Sequence, residues 1–235
     1  MGARIENETE LIQTYLAPLA AAAPGALGLR DDASYLTPPP GADLVITTDP
    51  IAAGVHFLAS DRADDIAWKA LAVNISDLAA KGAVPLAYTM ALALPAAPER
   101  SWMEQFALGL AGAQQEFGCT LIGGDTDRTR GPLTVSITAI GAVPHGRIVQ
   151  RTTARVGDYI FVTGTLGDAA LGLELHRQPQ LLESRLLGGE RSFLVARYLR
   201  PSPRLALSPL LRAYASAALD ISDGLAKDLG RLVKY

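Results

Sequence analysis

Residues 87–95, A-Y-T-M-A-L-A-L-P, are apolar at almost every position. Successive side chains of a β-strand point to opposite faces of the sheet, so a strand of this composition predicts a sheet that is covered on both faces. The preceding stretch, from Asp64 to about Gly82, repeats its apolar residues at i, i+3, i+4 and i+7, which indicates an amphipathic helix. A helix that leads into a buried strand predicts a mixed α+β or α/β fold.

The rest of the chain continues this mixture of helix and strand patterns. β-Branched or apolar runs predict further strands, and the polar, basic segment 144–158 resembles a domain boundary. We therefore expect an N-terminal domain over residues 1–145 and a C-terminal α/β domain over residues 146–235. The predicted strands are 43–48, 119–122, 134–143 and 159–164, and the last of these leads into a glycine-rich turn and a helix.

Charge and composition exclude several classes of protein. The chain has 21 Lys and Arg against 24 Asp and Glu, a net charge of −3, and no basic run of the kind that meets nucleic-acid phosphates. No apolar stretch is long enough to span a bilayer, and the acidic N-terminus lacks a signal core, so we expect a cytoplasmic protein without a membrane partner. Cys119 is the single cysteine, which excludes an internal disulfide. We expect its side chain to be buried and to serve only to fill space in the core.

Aspartates recur where predicted strands end and helices begin. In L-I-G-G-D-T, residues 121–126, two glycines precede Asp125, which suggests that the backbone approaches a ligand. Converging carboxylates repel one another unless cations intervene, and hard oxygen ligands favour Mg²⁺. Each aspartate also has an ordinary interpretation: Asp49-Pro50 as a turn, Asp77 with Lys81 as a helical ion pair, and Asp223 as a helix cap. With no P-loop present, the residues alone leave both interpretations open.

Six motifs recur in a characteristic order along the chain. They are L-R-D-D-A (29–33), I-T-T-D-P-I-A-A-G-V-H-F (46–57), K-A-L-A-V-N-I-S-D-L-A-A-K-G-A-V-P (69–85), L-I-G-G-D-T (121–126), G-D-Y-I-F-V-T-G-T-L-G-D-A-A-L-G-L (157–173) and A-L-D-I-S-D-G-L-A-K-D-L (218–229). Together they resemble the thiamine-monophosphate kinase family, within the superfamily of aminoimidazole ribonucleotide synthetase. The resemblance implies ATP-dependent, Mg²⁺-assisted transfer of a phosphoryl group to thiamine monophosphate without a phosphoenzyme. It also implies a homodimer in which the N-terminal sheets pair into a barrel, followed by an α/β domain.

The same resemblance implies a set of site residues. His56 would meet thiamine monophosphate, although a histidine between Val55 and Phe57 is by itself more typical of a packed core. His145 and His176 receive no role. The implied ATP contacts are Gly124, Asp125, Arg147 and Ser222, and the implied Mg²⁺ ligands are Asp32, Thr47, Thr48, Asp49, Asp77, Asp125, Asp220 and Asp223, with Asp77 bridging several ions.

The chain departs from the family in three places. Arg30 stands where the family usually has glycine, and Pro50 stands where threonine or a large apolar residue is common. The family normally continues beyond Tyr235, so we expect a shortened form that keeps most metal ligands but turns over slowly or not at all. Two alternatives stay open: a sister ATP-dependent enzyme with another acceptor, and a non-catalytic dimeric nucleotide-binding relative.

Overall fold

The computed structural model describes residues 2–182 and 185–234, in which a four-stranded sheet is followed by a group of helices. The strands are β1 (Ala42–Ala52), β2 (Val84–Leu94), β3 (Thr120–Arg128) and β4 (Thr134–Pro144). Their order in the sheet is β1-β4-β2-β3. Strand β4 runs antiparallel to both β1 and β2, and β2 is parallel to β3, so three strands run in one direction and β4 in the other.

Two long helices cover one face of the sheet. Helix α2 (Ala63–Ala80) connects β1 to β2, and α3 (Arg100–Phe117) connects β2 to β3. The predicted apolar stripe of α2 is confirmed, because Leu71, Ile75 and Leu78 have no exposed surface. Burial of such side chains stabilises the fold by about 1.5–3 kcal/mol each. This packing fixes α2 beneath the sheet, where its polar residues form the site described below.

The N-terminal segment covers part of the opposite face. It forms a short helix α1 (Glu8–Leu11), a π-helical turn (Ile12–Leu16) and two 3₁₀ segments (Ala17–Ala20 and Pro24–Leu29) rather than one regular helix. Ala20 and Ala26 pack on Ala87 of β2 and Ile122 of β3. The predicted double cover of β2 is therefore confirmed only for its first half.

Beyond that cover, the outer face of the sheet is open. Ala91 of β2 is exposed, and Ile46 on the edge strand β1 is 62% exposed. Leu44, on the same face of β1, is also exposed. This open surface combines apolar residues with threonines and serines of β1 and β4.

The aspartates expected at strand ends lie inside the strands. Asp49 and Pro50 pair with Ile137 and Ser136 of β4, so the interpretation of Asp49-Pro50 as a turn is wrong. Pro50 has no backbone N–H and therefore contributes no donor to this ladder. Asp125 likewise lies within β3, opposite Ala91 of β2.

The glycines before Asp125 have a structural cause. Gly124 has a φ of +154°, and a Cβ built on it would lie 1.9 Å from the carbonyl oxygen of Met90 on β2. A register shift places Ile122 as an extra residue of β3 in this ladder. Close approach of the neighbouring strand therefore requires glycine at this position.

The regular secondary structure in the second half of the described chain is helical. Residues 159–164, predicted as a strand, form no β-ladder, and Tyr159 and Phe161 are each 88% exposed. A strand needs a neighbour to accept its backbone hydrogen bonds, and none of the described segments pairs with this one. The helices are α4 (Asp168–Arg177), α5 (Glu190–Leu199), α6 (Ser208–Tyr214) and α7 (Leu225–Val233), with a 3₁₀ turn at Leu205–Leu207.

These helices dock on α2 through specific polar contacts. The guanidinium of Arg200, after α5, bonds to the carboxylates of Asp64 and Asp65 in the first turn of α2. The indole N–H of Trp68 donates to the carbonyl of Pro201 over 3.1 Å. Among the described helices, none combines the length and apolarity that crossing a membrane would require.

We predict that Gly124→Ala destabilises the chain by on the order of 3 kcal/mol, because the new methyl group meets the Met90 carbonyl and the positive φ is strained. Chemical denaturation monitored by circular dichroism measures the change. Gly188→Ala is the matched control, since a Cβ there meets no atom within 4 Å. Equal stabilities of the two variants would contradict this explanation of the glycine.

Candidate nucleotide and metal site

A buried asparagine ties the edge strand to the helix beneath it. Asn74 of α2 has no exposed surface. Its side-chain oxygen accepts the backbone N–H of Asp49 (2.8 Å), and its amide donates to the carbonyl of the same residue (3.3 Å). Because unpaired buried backbone groups are costly, these bonds hold Asp49 in a defined place at the edge of the sheet.

The two threonines before Asp49 have different surroundings. Thr47 faces α2, and its hydroxyl donates to a carboxylate oxygen of Asp77 over 2.6 Å. Thr48 faces the open side of the sheet, where its hydroxyl lies 2.8 Å from that of Thr138. Adjacent residues of a strand point to opposite faces, so the structure brings Thr47, but not Thr48, to Asp77.

Three carboxylates share one electrostatic environment. Partial burial, and then the charge of Asp77, raise the pKa of Asp49 above its usual value. The same two causes raise the pKa of Asp220, against a hydrogen bond from Ser76 that lowers it. Neighbouring negative charges in a partly buried place disfavour the ionised form of a carboxyl group. Asp49, Asp77 and Asp220 therefore form an acidic cluster that a bound cation would stabilise.

Lys81 brings the segment of Asp220 to this cluster. Its ammonium donates to the carbonyl of Ala218 over 2.7 Å, two residues before Asp220. The lysine at i+4 from Asp77 thus bonds to a backbone carbonyl rather than forming the surface ion pair that its spacing suggested. Burial lowers the pKa of Lys81, while the charges of Asp77 and Asp220 act in the opposite direction.

A cavity of about 390 Å³ lies at the other edge of the sheet. It contains Asp32, Gly124 and Asp125, and its apolar wall comes from the N-terminal segment and β2. Its volume falls within the range of small-ligand sites. Asp49 and Gly124 stand at the same level of the sheet, but β4 and β2 lie between them, which separates the two edges by about 14 Å.

The turn before α7 is held by a residue that the sequence analysis did not single out. One carboxylate oxygen of Asp228 accepts the backbone N–H groups of Ser222, Asp223 and Gly224 at 2.9–3.1 Å, and the other accepts from Arg231 at 2.8 Å. Asp228, rather than Asp223, therefore accepts the hydrogen bonds of the backbone N–H groups at the start of this helix. Its position at the fourth residue of α7 is the only sequence signal that points to this role.

Asp223 is already paired with side-chain cations. Its carboxylate lies 2.9 Å from the ammonium of Lys227 and 2.7 Å from the guanidinium of Arg231. These two groups, Lys227 first, lower the pKa of Asp223. A metal ion at Asp223 would have to compete with both.

Arg147 and His56 lie apart from the acidic cavity. Arg147 follows β4, whose end is on the order of 20 Å along the strand from the level of Asp49 and Gly124, and it donates to the carbonyl of Arg212. His56 is exposed in the turn after β1, rather than packed in the core. The backbone N–H of Ala52 donates to its Nδ1, so Nε2 carries the proton of the neutral ring and points to solvent.

The donor atoms fit Mg²⁺ by their chemistry. Carboxylates and a threonine hydroxyl are hard oxygen ligands, and the raised pKa values of Asp49 and Asp220 show that a cation would relieve repulsion. Within residues 2–182 and 185–234, no three acidic, histidine or cysteine side chains converge closely enough to enclose an ion by themselves. Mg²⁺ usually keeps waters and binds one or two carboxylates plus substrate phosphates, so this dispersed set suits ions that arrive with a phosphorylated ligand.

Comparison with known proteins places these features in a family. Residues 30–143 match the profile described as AIR synthase related protein, N-terminal domain. The chain is 46% identical to the thiamine-monophosphate kinase of Escherichia coli K12 over 209 residues, which cover 88% of this chain and 62% of that protein. It thus spans less than two thirds of the length of this curated relative.

Solved structures give the same grouping. Thiamine-monophosphate kinase from Stenotrophomonas maltophilia K279a superimposes with a TM-score of 0.84 at 43% identity, covering all of this chain and 74% of that one. AaThiL complexed with AMPPCP and TMP superimposes with a TM-score of 0.75 at 33% identity, covering 99% of this chain and 72% of that one.

We predict that Asp220→Asn stabilises the metal-free chain at pH 7. Burial and Asp77 raise the pKa of Asp220, so the unfolded chain releases this proton first as the pH rises above 3.8, and the ionised carboxylate then disfavours folding. The advantage of the variant should shrink as the pH falls to about that value. Unfolding midpoints measured in EDTA across this pH range provide the test.

Asp223→Asn is the matched control and should act in the opposite direction. Its carboxylate has a lowered pKa because of Lys227 and Arg231, so neutralising it should destabilise the folded chain at pH 7. If both substitutions change stability in the same direction, the electrostatic description of Asp220 is wrong.

Proposed function

Because the chain belongs to the thiamine-monophosphate kinase family, we propose that it catalyses the ATP- and Mg²⁺-dependent phosphorylation of thiamine monophosphate to thiamine diphosphate. The observation that carries the proposal is the cluster of Asp49, Asp77 and Asp220, in which burial and the charge of Asp77 raise the pKa of Asp49 and of Asp220 and thereby favour bound cations. Phosphoryl transfer depends mainly on positioning and on neutralising phosphate charge, which such a cluster supports.

The chain's residues suit direct transfer between bound substrates. Cys119 is buried and its pKa is raised to about 12, so it offers no thiolate nucleophile. Mg²⁺ held through Asp49, Asp77, Asp220 and Thr47 would neutralise phosphate oxygens. Asn74 and Lys81 keep these ligands in place through the backbone at Asp49 and Ala218.

The cavity beside β3 is the proposed nucleotide site. Asp32 and Asp125 would meet metal-bound phosphates there, and the wall formed by Ile12, Leu16 and Leu29 offers an apolar surface for a base. The binding of AMPPCP, an ATP analogue, and of TMP by AaThiL supports a nucleotide site and a thiamine monophosphate site. His56 would donate from Nε2 to thiamine monophosphate, because its Nδ1 is occupied by Ala52.

We further propose that the chain forms a homodimer through the open face of its sheet. The cluster of Asp49, Asp77 and Asp220 and the cavity with Asp32 and Asp125 lie at opposite edges of one sheet, about 14 Å apart. A second copy could bring complementary edges together. Exposed Leu44 and Ile46 support such an interface. We propose the same division as before, with residues 1–145 for nucleotide, metal and dimer contacts and residues 146–235 as the second domain.

Four of the implied site residues need contacts with a metal ion or substrate beyond those that this arrangement provides. They are Thr48, Ser222, Asp223 and Arg147. Thr48 is on the dimerisation face, so it would reach a metal only across that interface. The backbone N–H of Ser222 is occupied by Asp228, which leaves its hydroxyl to contact ATP. Arg147 lies on an exposed turn at the opposite end of the sheet from Asp49 and Gly124, so it would also need a second copy or a change of conformation.

We predict that Asp77→Asn and Asp125→Asn weaken Mg²⁺–ATP binding by about tenfold or more, a loss typical of changes around a metal site. Titration calorimetry with and without Mg²⁺ measures the binding. Asp127→Asn is the matched control on β3, because Asp127 lies outside the cavity and, among the described residues, its side chain bonds only to the N–H of Arg128. Unchanged binding in the first two variants would refute the site.

Release of ADP distinguishes the proposal from its two alternatives. Release that depends on thiamine monophosphate supports the kinase, and release only with another acceptor supports a sister enzyme. Tight Mg²⁺–ATP binding without release for any acceptor supports a non-catalytic relative.

We predict a dimer by light scattering at tens of micromolar protein. Ile46→Lys should shift the chain towards monomer, because it places a charge on the proposed apolar contact. Leu108→Lys on α3 is the control, since Leu108 is 70% exposed on a helix that packs against the other face. A monomeric wild-type chain would contradict the proposed interface.

A further inference from the structure

A lysine ammonium is buried between α2, α5 and the turn that carries His56. Lys69 is only 5% exposed, and its Nζ lies 3.5 Å from the ring centroid of Tyr198. The same ammonium donates to the backbone carbonyl of His56 over 3.2 Å. Burial lowers the pKa of Lys69 to about 8, so the group is still mostly protonated at neutral pH. A buried charge is costly, and its partners must compensate that cost.

Asp61 supplies the opposite charge. It is 7% exposed, and its carboxylate accepts from the backbone N–H of Leu58 and from the hydroxyl of Tyr198, both over 3.0 Å. Its other oxygen lies 2.8 Å from Nε2 of His176 on α4. Asp61 therefore joins its own loop to α4 and α5, and its charge favours the protonated form of Lys69.

The turn around His56 is fixed at several points. Its backbone N–H donates to the carbonyl of Ala52, and its Nδ1 accepts from the N–H of the same residue. Gly54, with a φ of +80°, donates to the carbonyl of Phe57, whose side chain is 2% exposed. Lys69 adds the remaining contact, to the carbonyl of His56 itself. The direction in which Nε2 points thus depends in part on the hydrogen bond from Lys69 to the carbonyl of His56.

We propose that Lys69 is a positioning residue for His56, and that Asp61, Tyr198 and His176 hold Lys69 in place and so couple α4 and α5 to this turn. Where it concerns thiamine monophosphate, the inference rests on the proposed function. By fixing the peptide of His56, Lys69 directs the Nε2–H group towards a hydrogen-bond acceptor on the substrate. His145, which is exposed, lies outside this network, whereas His176 belongs to it.

The first test needs no substrate. The chain has three histidines, so the imidazole ¹⁵N resonances of ¹⁵N-labelled protein can be assigned by His→Gln substitutions. The wild-type spectrum at pH 8 should show His56 as the Nε2–H tautomer. Lys69→Met should give averaged tautomer shifts for His56, because the turn loses its carbonyl bond. Wild-type shifts for His56 in this variant would overturn the proposal.

Arg200→Met is the matched control. It removes bonds to Asp64 and Asp65 in the same contact between α2 and the end of α5, but Arg200 makes no bond to the turn of His56. The His56 shifts should remain at wild-type values even where the control lowers the unfolding temperature. If the control alters them as strongly as Lys69→Met does, general loosening of α5 explains the effect and the proposal fails.

The second test separates positioning from a general structural role. In steady-state assays, Lys69→Met should raise the KM for thiamine monophosphate by about tenfold, the order expected for a lost bond to a charged group, and leave the KM for ATP within about twofold. Equal increases in both constants would contradict the inference. Release of ADP that does not depend on thiamine monophosphate would reject the proposed function, whereas the ¹⁵N spectrum decides the role of Lys69 at any rate of turnover.

Tyr198→Phe keeps the result decisive if Lys69→Met does not fold. It retains the ring beneath the ammonium but removes the hydroxyl that donates to Asp61. A smaller shift of the His56 resonances in the same direction would support the coupling to α5. No shift in Tyr198→Phe, with Lys69→Met unfolded, would reject it.

Discussion

The hydrogen bonds between the side chain of Asn74 and the peptide of Asp49 are the constraint on which the site depends. An edge strand has unpaired backbone groups on one side, and here a fully buried side chain of α2 satisfies two of them. This arrangement sets the rotation of α2 relative to β1. Asp77, three residues after Asn74 on the helix, then accepts a hydrogen bond from the hydroxyl of Thr47, two residues before Asp49 on the strand.

Helix α2 connects the acidic cluster of Asp49, Asp77 and Asp220 to the turn that carries His56. Its apolar side is buried beneath the sheet, while its polar residues contact three separate segments of the chain. Lys69 reaches the turn of His56, Asn74 and Asp77 reach β1, and Lys81 reaches the segment before Asp220. A change in the packing of this one helix would therefore displace the acidic cluster and the substrate turn together. This dependence explains why so many polar groups on a core helix have defined partners.

The sequence predicted the parts of the fold that follow from local periodicity. The buried stripe of α2 and the strands around Leu92 and Ile137 were recognisable from side-chain spacing alone. Strand ends were less predictable, because glycine and proline at Gly124 and Pro50 resemble turn signals but lie within paired strands. Residues 159–164 had the composition of a strand, yet pairing depends on a neighbouring segment that local sequence does not specify.

The candidate site was predictable in its residue types rather than in its arrangement. Asp49, Asp77 and Asp220 do share an environment, and Asp32 and Asp125 share a cavity. Thr48 could be separated from Thr47 by strand alternation, but that required knowing that both lie in β1. Lys69, Asn74 and Asp61 were missed, because their roles come from contacts between segments far apart in the chain.

The carboxylate of Asp228 has a consequence for how the turn before α7 meets a ligand. Three successive backbone N–H groups at a helix start are the arrangement that many proteins use to receive a phosphate. Here an aspartate of the same helix occupies that position and accepts all three bonds, so an anion could bind these N–H groups only by displacing it. A turn that is bonded in this way before a ligand arrives loses less conformational entropy on binding. Ser222 and Asp223 therefore meet a ligand through their side chains, from a turn whose backbone donors are already occupied.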